Sequence, residues 1–146
     1  MKIHSQILAI SGVFCFCIAF CQIAIGFSPS LSLYFGAPEA LVANNLYLIT
    51  VSMIIGFILG IFGFYAISGA GYIRTLPWLK LMLATISGIF ILRGLLVIPE
   101  GLVVAGVFES SIDVAPRFVV FSIGSLLIGI FFVTGTISGW RSFPSK

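Results

Sequence analysis

Four continuous apolar runs, each about 20 residues long and evenly spaced, constrain this chain more than any other feature. Their bounds are 7–27, 46–67, 76–98 and 118–138. At ~1.5 Å of helix rise per residue, such a run spans a hydrocarbon core ~30 Å thick. The runs are unbroken rather than alternating in twos, so they read as helices and not as strands of a barrel. Of all residues, 60% are hydrophobic and only 8% charged, too few polar groups to cover a water-soluble fold. The expected fold is an all-α integral membrane protein. It is one membrane domain over 1–146, an antiparallel four-transmembrane-helix bundle with outer loops at 28–45 and 99–117.

Charge orients this bundle. Lys2, Arg74, Lys80, Arg141 and Lys146 fall on one side, and Arg117 with Glu39, Glu100, Glu109 and Asp113 on the other. By the positive-inside rule both the N and C termini are cytoplasmic and the two longer loops lie outside. The net charge of +3 is spread over tails and loops, which gives no surface for nucleic acid. No phosphate loop, dinucleotide motif or zinc spacing occurs. The first run is too long for a cleaved signal peptide, and no small-x-small site follows it. Cys15, Cys17 and Cys21 all lie in this run and read as buried small hydrophobes. His4 reads as a polar tail residue.

The third run carries the one feature that interrupts the apolar pattern, Arg93. Its thirteen Leu, Ile, Phe or Val residues outweigh the insertion cost of one arginine, ~2.5–3.5 kcal/mol, at ~0.3–0.6 kcal/mol each. Pro77 suits the first helical turn, and Pro99 is expected to stop the helix at Ile98. Arg93 then lies roughly 8 Å below the outer boundary. Its guanidinium either snorkels to the headgroups or turns inward to hold a carboxylate, a lipid phosphate or an anionic ligand.

The same topology serves as a depth ruler. Gln22, Thr50, Arg93, Ser122 and Ser125 all fall in the outer leaflet, with Asn44, Asn45, Glu39 and Glu100 just above. The serines and threonine can satisfy their own helix carbonyls, whereas Gln22 and Arg93 cannot. The expectation is a hydrogen-bonded cluster of Arg93, Gln22 and one of Glu39 or Glu100, serving as interhelical glue or as a ligand site. Small residues at Gly56, Gly60, Gly63, Gly94 and Gly129 read as helix-packing positions. Residues 38–39 resemble a helix start, which suggests a short interfacial helix before the second span.

The pieces FGAPEAL (35–41), AISGAG (66–71) and ILRGLLVIP (91–99) resemble segments of small, uncharacterised four-span bacterial membrane proteins. That resemblance implies the topology and a bacterial inner-membrane location, and it implies no activity. The functional expectation is a non-enzymatic accessory, assembly or interaction component, acting with a membrane-protein partner or as a homo-oligomer. No cofactor or metal is called for. The alternative is a binder or transporter of a small anion, lipid or apolar molecule, working as an oligomer. An intramembrane enzyme would need a nucleophile or metal beside a tuned base, which one histidine and four peripheral acids do not supply.

Overall fold

The computed structural model describes residues 3–107, 116–141 and 143, and the described residues form helices and turns only. Lys2, Glu109, Asp113 and Lys146, which enter the charge argument, lie outside the described residues. In chain order the elements are α1 (Ile3–Gly26), α2 (Pro29–Tyr34), α3 (Glu39–Val42), α4 (Asn45–Gly69), α5 (Leu79–Leu95), α6 (Val97–Val104) and α7 (Pro116–Gly139). Four helical stretches are long and apolar enough to cross a membrane, taking α5 and α6 together as Leu79–Val104. In the most apolar part of each, only 22–28% of residues are buried within the protein, so most of every helix faces outward. Outward apolar side chains such as Phe20, Phe57, Leu92 and Ile137, each at least 69% exposed, suit a lipid surrounding and not water.

Two helix pairs carry the packing. Along α1 and α4 the backbones meet through small residues. A Cβ added to Gly12 would lie 3.1 Å from the Gly63 carbonyl oxygen, and one added to Gly56 would lie 3.1 Å from that of Ala19. Gly26 abuts Ser52 on the same seam. In the α5–α7 pair the approach is to the backbone itself, since a Cβ on Gly94 would fall 2.5 Å from the Leu126 Cα. Gly129 likewise packs on the backbone of Ile91. Without a hydrophobic driving force in lipid, close backbone approach of this kind is what holds helices together. Gly60 departs from the expectation: nothing lies within 4 Å of its missing side chain, and it opens onto an apolar groove with Phe20, Phe57 and Phe64. Its neighbour at the packing spacing, Gly56, already takes the crossing point.

The pairs join at the end of the bundle where His4, Gly69, Leu83 and Gly139 come together. Leu8, Cys15, Ala66, Leu83, Ile86, Phe90 and Phe132 form the core there. Phe90 stacks on Phe132 at 5.7 Å between centroids, and Phe62 meets Phe90 edge-on at 6.3 Å. His4 is half-buried in the first turn of α1 against α7, not a free tail residue. Cys15 alone among the cysteines is buried; Cys17 and Cys21 are exposed on the outward face of α1. Being two and six residues on from Cys15, they are rotated ~200° and ~240° away from the face that packs.

Both prolines of the third span act differently from the expectation. Pro99 does not end the helix at Ile98 but sits in the first turn of α6, where its missing N–H is tolerated. The break falls instead at Leu95–Val97, because a proline ring clashes with the carbonyl four residues earlier, here that of Leu95. α5 starts at Leu79, beyond Pro77, because Trp78 adopts a left-handed conformation (φ 58°) that no helix can include. The turn before it is pinned by Ser68, whose Oγ donates to the Arg74 carbonyl (3.2 Å) and accepts from the Leu76 N–H (3.0 Å). At the opposite end of the bundle, α2 and α3 form a strap between α1 and α4. Ser28 caps α2 ahead of Pro29, and Asn44 caps α4 by accepting from the Tyr47 N–H at 3.3 Å.

Candidate functional site

A three-residue polar cluster lies at the strap end, where α5, α6 and α7 meet. Arg93 Nη1 donates to Ser122 Oγ at 2.5 Å, and Ser122 Oγ donates to Glu100 Oε2 at 2.5 Å. A direct ion pair, Arg93 Nη1 to Glu100 Oε1 at 3.5 Å, closes the triangle. The two charged side chains are 39% and 17% exposed, so the carboxylate is the more enclosed partner, and Ser122 is fully buried.

Local sequence explains how these three meet. Arg93 and Glu100 are seven residues apart, two helical turns, so they face the same side across the α5–α6 break. The contact therefore clasps the two segments that Pro99 separates. Gly94 lets the α7 backbone at Leu126 come into direct contact with α5. Ser122 lies one turn from Leu126 on the same face of α7, which brings its hydroxyl opposite Arg93. Chemically the triangle neutralises itself. The hydroxyl proton is committed to Glu100, the oxygen accepts from Arg93, and the buried oxygen presents no face to a substrate.

Of the other expected cluster members, none joins this triangle. Gln22 faces a recess beneath the strap. Glu39 is exposed at the start of α3, Asn44 caps α4, and Asn45 is the exposed first residue of α4. Thr50 donates to its own helix at the Leu46 carbonyl (2.8 Å) and Ser125 to that of Phe121 (2.9 Å). Gln22 and Arg93 lie toward the same end of the bundle, but Gln22 lines the recess and Arg93 the triangle.

Arg117 is a functional-looking residue that the charge pattern treated only as a loop cation. Its guanidinium lies over Tyr34 at 4.6 Å and Phe118 at 5.4 Å, tying α2 to the start of α7. Phe35 stacks on Phe121 at 5.4 Å in the same contact. The sequence signal was Gly36, which has φ +92° and leaves the space that the Phe118 ring occupies. Among the described residues no group of three or more His, Cys, Asp or Glu could hold a metal.

The recess under the strap is the second feature of this end. It has a volume of about 260 Å³ and is lined by Gln22 and Ile25 of α1, Leu48, Val51, Ser52 and Ile55 of α4, and the strap. The chain matches no family model, no curated protein and no solved structure, so its own geometry carries the functional reading.

Proposed function

We propose that this chain is a non-enzymatic multi-pass membrane protein, an accessory or assembly component in which Arg93, Ser122 and Glu100 act as an interhelical lock. One observation carries the reading: the cluster's charges and hydroxyl are spent on one another across three helices. Interhelical polar contacts of this kind serve as glue in membranes. The contacts run in opposite directions along each seam, Gly12 with Ile67 but Gly26 with Ser52, and Gly94 with Leu126 but Ile91 with Gly129, which supports antiparallel order. With the charge asymmetry, that order favours cytoplasmic termini, and the resemblance of the three quoted segments favours a bacterial inner membrane.

The experiment substitutes Arg93→Leu and Arg93→Lys in the full chain and follows folding stability in mild detergent beside particle mass and co-purifying protein. A lock predicts that Leu lowers stability and Lys partly restores it. A stable Arg93→Leu protein would remove the lock, and a strict monomer without co-purifying protein would remove the assembly role. The second reading, a binder of a lipid or small apolar molecule, is favoured by the recess beneath the strap.

A further inference from the structure

The α1–α4 side contains a formed cavity that the lock does not use. Its roof is fixed in place: Ser32 Oγ donates to the Ile25 carbonyl at 2.9 Å, the Ala37 N–H donates to the Ser32 carbonyl at 2.9 Å, and Phe35 rests on Phe121 of α7. A strap tethered at both α1 and α7 keeps the space beneath it from collapsing. The floor is mainly apolar, made by Ile25, Leu48, Val51 and Ile55, with the buried Ser52 as its one hydroxyl. Within it the half-buried Gln22 amide makes no hydrogen bond to any described residue. The hydroxyl of Ser32, by contrast, is already committed.

These features define an occupant. An occupant that displaces water from this half-buried amide would leave it unpaired at a cost, so one that brings a hydrogen-bonding oxygen is favoured. At about 260 Å³ the space is below the range of small-molecule sites, ~300–1,000 Å³, enough for part of one acyl chain and not for a bulky headgroup. No Lys, Arg, Asp or Glu lines the wall, and the exposed Glu39 follows Pro38 of the roof, so a phosphate is not drawn inside. The exposed Phe57 and Ile54 of α4 belong to the outward surface beside it, which lipid covers if the chain spans a membrane.

We propose that the recess takes one acyl chain of a glycerolipid from the surrounding leaflet, with the ester carbonyl accepting from the Gln22 amide. This deepens the lipid-binding reading and rests on the chain being a membrane protein. It does not depend on the Arg93 lock.

The test reconstitutes the full chain in phosphatidylcholine vesicles doped with phosphatidylcholine that carries a diazirine in one acyl chain. Adducts are mapped by mass spectrometry after irradiation. The expected result is labelling of Leu48, Val51 and Ile55 several-fold above that of the freely exposed Leu92 and Ile137. Filling the recess by Val51→Trp should lower the recess adducts at least fivefold and leave those at Leu92 and Ile137 unchanged. Gln22→Leu preserves the shape and should lower them at least twofold, which keeps the test open if Val51→Trp does not fold. Recess labelling no higher than at Leu92, or unaffected by both substitutions, would overturn the site and leave the membrane reading standing. In that case water or a free apolar molecule fills the cavity. Absence of labelling at Leu92 and Ile137 as well would overturn the membrane reading itself.

Discussion

The α1–α4 pair and the α5–α7 pair solve the same packing problem with different chemistry. Both bring backbones into contact through glycines, Gly12 and Gly56 in one and Gly94 and Gly129 in the other. Among the described residues the ion pair lies on the second side, between α5 and α6 across the interruption at Leu95–Val97, and the Ser122 hydroxyl links it to α7. The first has a continuous α1, needs no clasp, and leaves its equivalent polar residue, Gln22, facing a cavity. Close packing thus suffices along two unbroken helices, and the charges bridge the short interruption at Leu96. A half-buried ion pair is weak evidence of stability by itself, but here it holds α6 to α5 across the interruption.

The comparison breaks most directly at Gly94. Gly94→Ala sets a methyl against the Leu126 backbone, which has no side-chain freedom to yield, and should cost about 2–3 kcal/mol. Reversible denaturation in mixed micelles measures this, and a neutral result would mean that α5 and α7 are not in backbone contact. Next in size, Arg93→Leu leaves the enclosed Glu100 carboxylate without its counter-charge, held only by the Ser122 hydroxyl, and should cost about 1–2 kcal/mol. Adding Glu100→Gln should recover part of that loss, and the double-mutant cycle should return a coupling near ~1 kcal/mol. A coupling of zero would make the triangle ornamental.

Gly60→Ala should act in the opposite direction. Its added methyl meets nothing within 4 Å, so helix propensity should raise stability by about 0.5–1 kcal/mol. A loss instead would identify the groove as an occupied interface. The smallest effect is expected at Gln22, where removal of an amide with no bonded partner should shift stability by less than about 0.5 kcal/mol. A larger drop on Gln22→Leu would give the α1–α4 pair a lock of its own and erase the contrast.

The spans were legible because unbroken apolar length needs no tertiary information. The same uniformity hid the faces. A helix apolar all round has no preferred direction in its sequence, so depth could be read and azimuth could not. Gln22, Glu39 and Glu100 were therefore all grouped with Arg93 by depth alone, and ending the helix at Ile98 hid the seven-residue spacing that puts Glu100 on the face of Arg93. The break at Leu95 was in principle readable, since a proline acts four residues upstream and not where it stands. The recess was not, because it exists only once residues 29–42 fold back over α4 and tether to α7.

Trp78 has a last consequence. The chain passes from one helix pair to the other only through residues 70–78, and a residue with a side chain held left-handed costs roughly 1–2 kcal/mol. The joint therefore stores backbone strain at the point where the second helix pair begins. A glycine in place of Trp78 would accept this conformation without the Cβ clash and keep the length of the joint. In this molecule a left-handed residue on a short tether fixes where the second half of the chain takes up its first turn.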